Sequence, residues 1–153
     1  MKRIRIIISL VLCLFYLIPT TAIATSITMQ ESDRIYLDNG YYITIEITES
    51  PERASGTKSG TKNYVFRSGS GSELWRASIR GTFTYTGSSA TCTAASCTIT
   101  ITDTAWYEIS KNASRSGATA IGDFTTGHKI LGVTVKKETV NIRLTCDANG
   151  NLS

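Results

Sequence analysis

A single histidine limits the chemistry open to this chain. His128 lies in Thr126-Gly127-His128-Lys129, and to act as a general base it needs a nucleophile or a carboxylate brought to it by the fold. No Gly-x-Ser-x-Gly elbow is present, and the cysteines have no protease-type context. Cys92 and Cys97 lack the two-residue gap of a zinc finger, and one His with Cys92, Cys97 and Cys146 makes a poor zinc set. No run alternates carboxylates in the manner of a calcium loop. Glu46, Glu49, Glu73, Asp103, Glu108 and Asp123 could supply a glycosidase pair. Twelve acidic side chains spread over a sheet surface, however, produce such pairs by chance. The glycines stand singly or in Gly-Ser turns rather than in a phosphate-cradling loop. The expectation is a protein without catalytic residues, metal or cofactor.

The aromatic residues offer more. Tyr41-Tyr42 and Trp106-Tyr107 are adjacent pairs, so on a strand one member of each points away from the core. An exposed ring suits sugar stacking or a protein partner, because its apolar face is desolvated at little conformational cost. Tyr42, Trp106 and Tyr107 are therefore the candidate ligand-binding residues. Alternation with Ile43, Ile45 and Ile47 makes Tyr42 the outward member of its pair. Asn112-Ala113-Ser114 matches a glycosylation acceptor.

The elements that must hold these residues read as strands. Residues 25–153 contain 21 Thr and 16 Ser, and Thr sits well on a pleated surface. Pro51 is the only proline in that stretch, which excludes a mucin-like stalk. Tyr41, Ile43, Ile45 and Ile47 share one face of a strand that follows the hairpin turn Asp38-Asn39-Gly40. Trp75, Ala77, Ile79, Gly81, Phe83 and Tyr85 share one face of a longer strand. Tyr64–Phe66, Ala90–Thr93, Cys97–Ile101, Trp106–Ile109, Ala118–Thr125, Ile130–Val135 and Val140–Cys146 complete the set. Residues 50–61 carry no period and read as a mobile surface loop, and 147–153 as a polar tail. Eight to ten short strands without crossover helices predict an all-β fold, an antiparallel β-sandwich immunoglobulin-like in architecture.

Three cysteines beyond residue 24 leave one unpaired in an oxidising compartment. The preferred bridge is Cys92–Cys146, because Cys146 is in phase with Val140, Ile142 and Leu144. Cys92–Cys97, facing across a turn at Thr93–Ser96, is the local alternative, and Cys97–Cys146 the third.

The N-terminus supplies the compartment. Lys2, Arg3 and Arg5 precede an apolar run from Ile6 to Ile18, then Pro19 and the Ala22-Ile23-Ala24 site. This is the pattern of a cleavable signal peptide over residues 1–24, cut before Thr25. The apolar run is short of the roughly 20 residues a membrane span needs. Cys13 follows Leu12 where a lipoprotein signal wants a small residue, so that reading is rejected. Three of the 16 basic residues belong to this segment, leaving 13 against 12 acidic and a net charge of +1 on the single domain 25–153. No nucleic-acid footprint remains, and no membrane span follows the cut.

The runs RIYLDNGYY at 34–42, LWRASIRGTFTYTGSSATCT at 74–93 and TCDANGNLS at 145–153 resemble a group of small secreted β-proteins of Gram-positive bacteria. The resemblance covers most of residues 25–153, and its motifs are structural rather than catalytic. It implies export and a bacterial source. In that pattern the positions of Cys92 and Cys146 are cysteines, and Cys97 departs from it. The expectation is a secreted, non-enzymatic binding domain for an extracellular glycan or protein. The alternatives are an antagonist or toxin-like β-protein acting on competitor envelopes and, further off, a hydrolase.

Overall fold

The computed structural model describes residues 33–37, 40–54 and 56–153. The expected signal segment lies outside them, as do Asp38 and Asn39 of the expected first turn. The described strands are β1 (Asp33–Tyr36), β2 (Tyr42–Ala54), β3 (Thr57–Arg67), β4 (Glu73–Tyr85), β5 (Ala90–Ile101), β6 (Trp106–Ser116), β7 (Thr119–Ile130) and β8 (Val133–Thr145). Every pairing is antiparallel and joins neighbours in the chain: β1 to β5 form one sheet, β6 to β8 a second. The protein is all-β, with no helix among the described residues.

The alternation in β4 shows why the sheets bury one face. Trp75, Ala77, Ile79 and Phe83 are buried, while Arg80 between them is exposed. They join Phe66 of β3 and meet Trp106, Ala120, Phe124, Ile142 and Leu144 of the second sheet in one core cluster. Phe66 stacks on Trp75 at 5.0 Å between ring centroids and meets Trp106 edge-on at 5.2 Å. Each large apolar side chain buried in this way contributes about 1.5–3 kcal/mol.

Two glycines let β4 and β7 come close. Phe83 folds its ring back over Gly81, and Phe124 does the same over Gly122. A Cβ on Gly81 would stand 3.1 Å from Ala120 Cβ, and one on Gly122 would stand 3.3 Å from Ile79 Cβ. Ile79-x-Gly81-x-Phe83 and Ala120-x-Gly122-x-Phe124 thus interlock across the two sheets, each glycine making room for a ring on its own strand.

The strands run further than sequence alternation indicates. Residues 50–61, expected as a loop, are mostly strand. Glu49 pairs with Gly60 in register, Lys58 forms a 2.7 Å ion pair with Glu49, and Ser59 shares a hydrogen bond with Thr82 at 3.0 Å. Partners on both sides hold β3 extended, and this gives a polar, aperiodic stretch its strand geometry. Ala90–Thr93 and Cys97–Ile101, expected as two strands, are one. The register jumps from Phe83↔Cys92 to Thr82↔Ala94, so Thr93 is a bulge residue that breaks the period without ending the strand. The polar tail also folds back, with Cys146 bridging to Leu152 and Thr145 exchanging backbone hydrogen bonds with Ser153 at 2.9 and 3.0 Å. Leu152 is buried against Gly60, where any side chain would collide with its methyl group.

Candidate functional site

Of the three candidate ring residues, Trp106 belongs to the core. It is 5% exposed, lying 6.1 Å from Trp75 and 4.9 Å from the ring of His128. Alternation requires one member of each aromatic pair to face outward, and here the larger and more apolar ring has gone inward. The expectation of Trp106 as a ligand-facing residue is corrected accordingly. His128 lies within β7, paired with Trp106 on one side and Lys136 on the other.

Tyr107 and Tyr42 do take the outward positions, on different sheets. Tyr107 crosses Gly127, whose missing Cβ would stand 2.5 Å from the ring. Its hydroxyl is 2.6 Å from Thr134 Oγ1, and Lys129 Nζ stands 4.1 Å from the ring centroid. It is thereby engaged in bracing the β7–β8 hairpin. Tyr41 stacks on Phe66 at 5.3 Å, so Tyr42 stands on the opposite face of the first sheet. Tyr42 and Tyr107 therefore occupy the outer faces of two sheets and cannot act as one platform.

The structure gives Tyr42 other neighbours instead. Tyr36, in register with it across β1 and β2, is 72% exposed, and the two ring centroids are 5.8 Å apart. The Arg34 guanidinium lies 5.7 Å from the Tyr42 centroid. Arg67 Nε donates to Thr44 Oγ1 at 3.4 Å and Arg67 Nη1 to the Gly71 carbonyl at 3.2 Å. Arg76 donates to Glu73 at 2.9 and 3.2 Å and to Glu46 at 3.4 Å. The hydrogen bond from Arg76 holds the Glu73 carboxyl below the ordinary glutamate range; partial burial opposes this and the charges of Arg76 and Arg67 add to it. A pair of rings thus stands beside an arginine-rich outer face. Arg34 and Tyr36 escape a sequence reading because β1 is only four residues long and shows no period of its own.

All three described cysteines are free thiols, so the expected bridge is not formed in this structure. Cys92 N–H donates to the Gly117 carbonyl at 2.8 Å, and Cys146 N–H to the adjacent Ala118 carbonyl at 3.0 Å. The two cysteines thus flank one dipeptide in the β6–β7 turn, both buried. Burial raises both thiols above the ordinary cysteine range, and Cys92 adds a smaller upward push on Cys146. Cys97 lies five residues from Cys92 on the same extended strand, roughly 16 Å along it. That separation removes the local alternative, since a disulfide needs Cα atoms within about 7 Å.

Among the described residues, no three His, Cys, Asp or Glu side chains cluster as a metal site, and no helix is long and apolar enough to cross a membrane. No family model, curated protein or solved structure matches this chain.

Proposed function

We propose that residues 25–153 are a secreted, non-enzymatic binding domain, exported by cleavage after Ala24. Its ligand is an extracellular glycan, taken at Arg34, Tyr36 and Tyr42 on the outer face of the five-stranded sheet. One observation carries this reading: Tyr36, 72% exposed, stands beside Tyr42 and an arginine guanidinium at the end of β1. Rings of this kind stack against the C–H faces of sugars, and guanidinium groups donate to hydroxyls and carboxylates. Two sheets sharing one core support the finer architecture, a β-sandwich immunoglobulin-like in its layering. In the oxidising exterior, Cys92 and Cys146 pass two electrons and two protons to a disulfide-bearing oxidoreductase and form a bridge across the β6–β7 turn.

A glycan array followed by calorimetry tests the reading. Tyr36→Ala and Tyr42→Ala are expected to weaken a saturable hit at least about tenfold, the loss of roughly one stacked ring, with unchanged thermal midpoints. Binding that ignores both substitutions overturns the assignment of the site. The alternative role, an antagonist acting on competitor envelopes, gains support from one further feature, the apolar tip of the β7–β8 hairpin.

A further inference from the structure

The segment Lys129-Ile-Leu-Gly-Val-Thr-Val-Lys136-Lys137 is uncharged between its lysines. In the structure it is the end of the β7–β8 hairpin, Ile130 pairing with Val133 across a two-residue turn of Leu131 and Gly132. The hairpin outruns its neighbour: β6 begins at Trp106, opposite His128, the Lys129 N–H still donates to the Ala105 carbonyl at 2.8 Å, and from Ile130 onward the hairpin projects as a two-stranded ribbon. A globular protein has no packing reason to place apolar side chains there. Yet Leu131 is 100% exposed, Val133 66%, Ile130 55% and Val135 53%.

The turn sharpens the anomaly. Leu131 has φ +49° and Gly132 φ +79°, the geometry of a tight hairpin turn that favours Asn, Asp or Gly at both central positions. Leu131 is the only described non-glycine residue with positive φ. Its side chain therefore takes a costly backbone conformation and recovers nothing from contacts within the chain. Its contacts must be made outside it.

We propose that this hairpin tip is a membrane-docking spike, inserting Ile130, Leu131, Val133 and Val135 into an anionic lipid surface while Lys129, Lys136 and Lys137 meet the headgroups. The dimensions fit. Two to three residues of strand at about 3.3 Å each carry the tip roughly 7–10 Å past the lysines, matching the roughly 5–10 Å to which interfacial apolar groups sink. The charge fits as well, because residues 129–137 contain three lysines and no acidic side chain; Glu138, just behind them, is ion-paired with Lys136. Tyr107 holds the ribbon upright from its outer face, bonded to Thr134 and covered by Lys129. A protein partner is less well served, since a stable interface needs about 800 Å² per side and a convex tip of four side chains offers far less. A bilayer requires no complementary pocket.

The experiment is flotation of the protein purified without residues 1–24, which retains every described strand, with vesicles of phosphatidylcholine alone or with about 30 mol% phosphatidylglycerol. Binding to the anionic vesicles, weakened by salt, is expected. Leu131→Asn is the informative variant, because asparagine suits the turn and removes the apolar side chain. It is expected to raise the thermal midpoint while lowering vesicle partition about tenfold. Tyr42→Ala is expected to float like the parent protein, which separates this surface from the proposed glycan site. Absence of anionic-vesicle binding, or equal partition of Leu131→Asn, overturns the proposal. So does a dimer of the parent protein that Leu131→Asn abolishes, which would assign the tip to contact between copies.

Discussion

Gly122→Ala tests whether the two sheets interlock as described. The new Cβ would stand 2.5 Å from Phe124 Cε2, 2.8 Å from Phe124 Cζ and 3.3 Å from Ile79 Cβ. Comfortable carbon–carbon contact begins at about 3.5 Å, so the ring must retreat by roughly 1 Å. Phe124 is 1% and Ile79 0% exposed, and neither has solvent to move into. Overpacking of this kind costs about 1–3 kcal/mol, offset by about 0.4–1 kcal/mol because alanine restricts the unfolded chain. The expected net loss is about 1–2 kcal/mol, read from urea unfolding followed by the fluorescence of Trp75 and Trp106. Phe124→Ala alone is expected to cost about 3–5 kcal/mol. In that background Gly122→Ala is expected to be neutral or stabilising, giving a coupling of about 2 kcal/mol in the cycle. A Gly122→Ala protein as stable as the parent, or more so, would refute the interlocked packing, because only a neighbouring ring and the facing sheet make a methyl group unwelcome there.

Non-reducing peptide mapping of protein recovered from culture medium is expected to join Cys92 to Cys146 and leave Cys97 alkylatable; a Cys92–Cys97 or Cys97–Cys146 peptide would contradict it. The bridge would close a 55-residue loop, worth about 4 kcal/mol in the chain-entropy model. Because burial raises both thiols, reduced folded protein is expected to oxidise slowly with glutathione disulfide and much faster once urea opens the core. Thr126 Oγ1 is buried with no hydrogen-bond partner among the described residues, so Thr126→Val is expected to stabilise by about 1 kcal/mol, visible as a raised thermal midpoint. Hydrogen bonding from the Asn151 side chain, then from the backbone N–H groups of Asn151, Asn149 and Gly150, lowers the Asp147 carboxyl below its ordinary value. Its contribution is therefore full above the unfolded aspartate pKa near about 3.9 and is lost as pH falls through the lowered folded value. Asp147→Asn is expected to flatten the fall of thermal midpoint below about pH 4, and an unchanged slope would exclude this contribution.

What the sequence determined by itself was the half-buried face of each periodic strand. Trp75 to Phe83 announce their burial through alternation, and Tyr41, Ile43 and Ile47 their partial burial against the same core, because neighbouring side chains on a strand must point to opposite sides. The outward position of Tyr42 follows from the same rule. Alternation is silent where the period breaks or where both faces are polar. It therefore missed the Thr93 bulge, which only the register against β4 reveals, and the continuation of β2 and β3 through residues 50–61. It could not place Leu152, whose slot exists only because Gly60 is brought beneath it. The surfaces that carry the functional proposals are tertiary facts too. Tyr36 meets Tyr42 through the register of β1 on β2. Lys129 to Lys137 reads as a strand and its flanks until pairing with β7 turns Leu131 and Gly132 into the exposed end of a ribbon, since a run of apolar residues encodes that they can be buried but not whether the fold leaves anything to bury them against.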